Sequence, residues 1–343
     1  MPRKNHAPFI SEWKQLYELM GKLRELAPWE YMYEYNTFAV QFPENDRMGL
    51  VSVMGNLGEH YAISVYLDKK GFDGFNHIQK IGYKLTPEIL LQIPQLQASF
   101  EDREMITPED RKILKELELK FRGRNAWPQF RSYRPGCFPW YLEKEEAQMM
   151  IHALEQLLDV APRFREDPSL LTVAEKEQVY LVRVQKDGKW EDQKSKIHFP
   201  IDPPLNIQMN MDALNELKGM KADNTVLEVD LHMMEGAVKD DEFDRPFFPF
   251  MLMAVEHASG MILGADILAP LPSMEEMWSN VPAQIVESLA GSLKPKEIQV
   301  KEPLLFQLLS LIGKETGIQI KQVPRLPKLA QAMRELERFQ SSF

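Results

Sequence analysis

The chain has a single cysteine, Cys137, among 343 residues. No disulfide framework can form within it, and a lone thiol suits a reducing compartment, so a cytoplasmic location is expected. Long apolar runs are missing as well. The most apolar stretch, Pro246 to Leu271, is interrupted by Glu256, His257 and Asp266, which are costly in lipid. It reads as two buried strands, and no membrane contact is expected. The opening MPRKNHAPFISEWKQ is basic but lacks the apolar segment of a signal peptide. The sequence contains no Gly-x-x-x-x-Gly-Lys-Ser/Thr or Gly-x-Gly-x-x-Gly loop, and no Cys-x-x-Cys, His-Glu-x-x-His or Gly-x-Ser-x-Gly. These absences exclude the common glycine-rich phosphate loops and the local signatures of thiol redox, zinc-protease and serine-hydrolase chemistry. Positive charge is also scarce: 41 Lys and Arg face 51 Asp and Glu, for a net charge of −10. Residues 201–343 hold 13 Lys and Arg against 21 Asp and Glu. Affinity driven by phosphate contacts needs the opposite balance, so a protein partner is expected ahead of nucleic acid.

What is present is enough apolar material, 44% of residues, for two cores at the usual domain size. Ile10, Trp13, Leu16, Tyr17, Met20 and Leu23 recur at helical spacing, predicting a helix over Phe9 to Leu26 that Pro28 ends. Thr37–Phe42, Gly49–Met54 and Tyr61–Leu67 read as a three-stranded antiparallel meander. A helix over Gly71–Ile81 and a strand over Gln95–Phe100 follow. Thr107-Pro-Glu-Asp opens a helix that is expected to run to about Phe121. Trp127–Leu142, with prolines at 128, 135 and 139, reads as irregular, and Glu143–Val160 as a helix. Val179–Val184 and Lys189–Asp192 form a hairpin around Asp187-Gly188. The expected division is an N-terminal α+β domain over 1–200, a linker (Phe199-Pro-Ile-Asp-Pro-Pro) and connecting helix over 201–224, and a second domain over 225–343.

In that second domain the expected elements are a strand at Val226–His232 and a hairpin of Phe247–His257 with Met261–Leu268. Next come a helix at Met274–Leu293, a strand at Glu297–Val300 and a helix at Pro303–Thr316 ended by Gly317. A strand at Ile318–Val323 and a helix at Leu326–Phe339 complete it. The hairpin followed by strand–helix–strand crossovers implies a mixed sheet. This order resembles the ribonuclease-H-like fold, and the local text is similar to its integrase and transposase branch. Val226-Leu-Glu-Val-Asp230 stands for the first strand and its aspartate. Met253-Ala-Val-Glu-His-Ala-Ser-Gly260-Met-Ile-Leu-Gly stands for the hairpin. Ile298-Gln-Val-Lys301-Glu-Pro stands for the strand that normally ends Asp-Asn-Gly, with Phe306 following, and Gly317-Ile318 for the next strand. The resemblance implies carboxylates that hold two divalent metals about 4 Å apart. Asp230 occupies the first such position, but Lys301 stands where the second would be. Glu302 and Glu337 are the remaining acids that an active version would use. The layout as a whole also resembles an uncharacterised family of bacterial proteins of unknown function.

Other groupings are open to functional readings. Asp230, His232 and His257 offer a carboxylate and two imidazoles for Zn²⁺ or Fe²⁺, or simply three polar strand residues. Asp240, Asp241, Glu242 and Asp244 lack the glycine and spacing of a Ca²⁺ loop and read as a solvated turn. Cys137 has no histidine near it in sequence and reads as structural. Trp127, Arg131, Arg134 and Trp140 lie in an aromatic, arginine-bearing segment, 127–141, that is a candidate ligand or peptide platform. The nineteen methionines are scattered and read as core filler. The leading expectation is a non-catalytic scaffold or interaction protein needing no cofactor. The alternatives are a diverged nuclease or phosphoryl-transfer enzyme using Asp230 with Mg²⁺ or Mn²⁺, and a small-ligand or peptide binder acting through segment 127–141.

Overall fold

The structure is a computed structural model that describes residues 6–45, 47–82, 85–173, 178–199, 204–240 and 243–340, apart from the side chains of residues 337, 339 and 340. The chain is mixed α+β, with two mixed sheets. It divides into two compact units. Unit 1 comprises residues 1–201 and 239–246, and unit 2 comprises 202–238 and 247–343. The expected linker at Phe199–Pro204 falls largely on residues outside the description, as do Asp241 and Glu242 of the acidic run.

Unit 1 is built on seven strands: β1 (Phe38–Gln41), β2 (Met48–Met54), β3 (Tyr61–Leu67), β4 (Gln95–Glu101), β5 (Trp127–Tyr133), β6 (Val179–Lys186) and β7 (Lys189–Lys196). Their order is β5-β4-β3-β2-β1-β6-β7, antiparallel except for the β1–β6 pair. Helices α1 (Ile10–Leu26) and α5 (Lys144–Glu166) pack together over one face. They bury Trp13, Leu16, Met20, Met150 and Leu154 against Val51, Ile63 and Phe130. α2 (Asp68–Ile81) covers part of the other face through Phe75, which meets Leu50, Tyr66 and Ile93. A short α3 (Pro87–Leu91) and α4 (Pro108–Glu116) complete the unit.

Two sequence expectations need correction, and one element was not foreseen. Trp127–Tyr133 is a strand, not irregular chain. Its alternation buries Pro128, Phe130 and Ser132, and a proline is tolerated because β5 is the sheet edge. α4 stops at Glu116, short of Phe121, because Glu118 turns left-handed (φ +56°) and the Leu119 N–H closes onto the Leu114 carbonyl. α3 carried no periodic signal strong enough to be seen.

Unit 2 contains α6 (Met211–Gly219), β8 (Val226–Met233), β9 (Phe250–Glu256), β10 (Ile262–Leu268), α7 (Met274–Leu289), β11 (Glu297–Val300), α8 (Pro303–Thr316), β12 (Gln319–Gln322) and α9 (Pro327–Gln340). The sheet order is β10-β9-β8-β11-β12. β8, β9 and β10 are antiparallel neighbours, and β8, β11 and β12 are parallel ones. One face, bearing Leu227, Val229, Leu252 and Ile298, packs against α6, α7 and α8 through Leu217, Ile285 and Leu309. The other face presents Met253 and Val255 to Leu326, Leu329 and Ala332 at α9. α6, within the segment expected to connect the domains, is part of the unit 2 core.

Candidate functional site

Alternation along β8 sends Glu228, Asp230 and His232 to the face that α9 covers. Glu228 is fully buried, and both its oxygens are used. His257 Nδ1 lies 2.6 Å from Oε1, and the Leu329 N–H, in the first turn of α9, donates to Oε2 at 2.9 Å. A carboxylate suits the positive end of a helix dipole. His257 follows β9, and its N–H bonds the Val226 carbonyl. That places its backbone about 13 Å along β8 from Asp230. His257 therefore serves Glu228 and does not join Asp230 and His232.

Asp230 is 15% exposed and accepts the Leu231 N–H at 3.0 Å. His232 Nε2 lies 3.8 Å from its carboxylate and has no hydrogen-bond partner among the described residues. Across β9, the residue opposite Asp230 is Met253. On the other side, the parallel register pairs Glu297, Ile298 and Gln299 with Val226, Leu227 and Glu228. Carried forward two residues, it brings Lys301 against Asp230. Burial pushes the Asp230 carboxyl above the usual range. His232, the Leu231 amide and Lys301 pull it back without cancelling the effect. Glu302 is the exposed N-cap of α8 and starts on the alternate side. Glu337 lies in α9, and its side chain is outside the described residues. Among the described residues, no three His, Cys, Asp or Glu side chains are grouped to hold a metal.

The side chains of segment 127–141 are held by several different partners. Arg131 is held by Asp110 in two contacts of 3.1 and 2.7 Å and lies over the Tyr141 ring. Arg134 pairs with Glu143 and Glu146, each at 2.8 Å. Trp140 exchanges backbone hydrogen bonds with Ser132, and its ring meets Tyr141. Trp127 lines a hollow with Arg103, Arg111 and Lys115.

A buried charge cluster in unit 1 was not legible in the sequence. Arg245 donates to the Ser132 carbonyl at 2.9 Å and to its hydroxyl at 3.2 Å, and lies 3.8 Å from Glu146. Ser132 Oγ in turn donates to Glu146 at 2.7 Å. Burial works against the Glu146 carboxylate, but Arg134, Arg245 and two hydrogen bonds overcome that and hold its pKa below the usual range. Burial raises the Cys137 thiol, and the nearby arginines only partly offset this. That keeps the thiol protonated and fits a structural role. No spacing connects residue 245 with 132. The arginine closes the acidic 240–244 run, which reads as solvent-facing.

Residues 13–183 match the model of a domain of unknown function, DUF7309, and residues 213–337 match that of another, DUF6930. Two families of unknown function thus cover most of the chain. The DUF6930 match takes in the whole row around Asp230 and Lys301, and the DUF7309 match includes Trp127, Arg131 and Glu146. No curated protein matches the chain.

Proposed function

We propose that the protein is a non-catalytic interaction protein whose C-terminal unit is a ribonuclease-H-like domain with its metal centre replaced. The strand order β10-β9-β8-β11-β12, with helices after β10, β11 and β12, supports the fold reading. One observation carries the functional reading: Met253 lies opposite Asp230 across β9, and the Lys301 ammonium is close enough to act on the Asp230 carboxyl. A two-metal centre needs further anionic oxygens close to the first. A thioether is a poor ligand for Mg²⁺, and an ammonium repels it. A protein partner and a cytoplasmic site of action go with this reading. No helix among the described residues is long and apolar enough to cross a membrane.

The competing reading is a nuclease using Asp230, Glu302 and Glu337. It is tested by incubating the full chain with single- and double-stranded DNA and RNA in Mg²⁺ and in Mn²⁺. No cleavage is expected above that of an Asp230→Ala control. Cleavage by the wild type that the substitution abolishes would overturn the proposal.

A further inference from the structure

A cluster of basic residues lies beside Trp127 in unit 1. Arg103 comes from the turn after β4. Arg111 and Lys115 project from the outer side of α4, whose Ile113 and Leu114 face inward. After α4, the left-handed turn at Glu118 seats Leu119 on the helix and brings Lys120 alongside. The chain then crosses Arg122-Gly123-Arg124 and is tied down before β5. The Asn125 N–H donates to the Asp102 carboxylate at 2.7 Å, and the Ala126 N–H to the Glu101 carbonyl at 3.1 Å. Two adjoining hollows of ≈ 660 Å³ and ≈ 440 Å³ result, sharing Arg103 and Trp127.

Six cationic side chains and three acids line these hollows, in a chain of net charge −10. Arg124 lies 3.9 Å from Asp102, and Arg111 donates to the Arg103 carbonyl. The side chains of Arg103, Lys115, Lys120 and Arg122 make no ion pair or hydrogen bond among the described residues. Lys115 suits the C-terminal end of α4, but the other three lie outside any α-helix. An excess of cations over acids drawn from several elements gives the space a local positive potential that favours an anion there. Trp127 adds a ring that packs on Phe121 at 6.0 Å and still borders both hollows. A ring beside free cations is the chemistry that holds a base and its phosphates together.

We infer that this groove binds a free nucleotide, with the phosphates on Arg103, Lys115 and Lys120 and the base against Trp127. The chain's overall negative charge opposes a long polyanion, which favours a mononucleotide over a strand. The inference is independent of the reading of unit 2.

The test is isothermal titration of the full chain at low salt with ATP, tripolyphosphate and a thymidine oligonucleotide. Saturable ATP binding is expected, tighter than tripolyphosphate because the base contributes, and tighter than the oligonucleotide. Arg103→Glu with Lys115→Glu, both at exposed positions, should weaken ATP by about tenfold or more. Lys80→Glu, exposed on α2, should leave it unchanged. Comparing ATP with tripolyphosphate probes the ring's role without disturbing Trp127 packing. Absence of saturable ATP binding, equal affinity for tripolyphosphate, tighter binding of the oligonucleotide, or an equal loss in Lys80→Glu would each overturn the inference.

Discussion

Glu146 is 6% exposed, between Arg134 and Arg245, with Ser132 bonded to the same carboxylate. Glu146→Gln keeps the shape but removes the countercharge from two arginines, one of them, Arg245, buried. Breaking a buried charge pair from one side typically costs about 3–5 kcal/mol. Urea denaturation should show a loss of this order, and a loss below about 1 kcal/mol would mean that solvent reaches the cluster. Because the folded-state pKa is lowered, the contribution is complete above the unfolded carboxylate value of about 4.3. It is lost as pH falls from there through the folded-state value. Asp230 has the opposite sign. Its raised pKa means that the ionised form is disfavoured in the folded chain at neutral pH, with relief as pH falls through the folded-state pKa. Asp230→Asn should therefore raise the melting temperature at pH 7, by a margin that shrinks on acidification. A lower melting temperature would show that Asp230 is a net stabilising ion-pair partner. Lys301 could be placed near Asp230 from the sequence because the resemblance to the ribonuclease-H-like order puts the two at neighbouring strand ends. Arg245 could not, because its partner Ser132 is 113 residues away.

At the scale of elements, Glu228 joins a strand to a helix. It lies in β8 and accepts from the first turn of α9, 101 residues on. Glu228→Ala leaves the Leu329 N–H and the His257 ring without their acceptor and should cost about 1–3 kcal/mol. Amide exchange should quicken in α9 before it does in α7 or α8, which pack on the opposite face. Uniform quickening across unit 2 would show that Glu228 supports the sheet rather than the helix. The order of elements in unit 2 was readable because period-2 strands alternate with helices that have clear starts and stops, such as Pro303 and Gly317. β5 was hidden by Pro128, whose missing N–H matters only on an inner strand. The early end of α4 was hidden because a left-handed glutamate carries no sequence signal. The role of Glu228 was missed because Asp230, two residues on, fits the resemblance while the partners of Glu228 are remote in sequence.

For the whole molecule, net charge does not describe the local distribution of charge in unit 1. A sum over 343 residues averages away a local groove of cations, since charges act over about a Debye length and not over the chain. Composition did support two cores, and each unit has its own. The central claim is that the position beside Asp230 is held by Lys301 and that unit 2 carries no divalent-metal centre. Titration of Mn²⁺ into the full chain, wild type and Asp230→Ala, followed by calorimetry, tests it most directly. The account predicts no saturable heat in either protein at sub-millimolar Mn²⁺. Tight binding by the wild type that Asp230→Ala removes would contradict it.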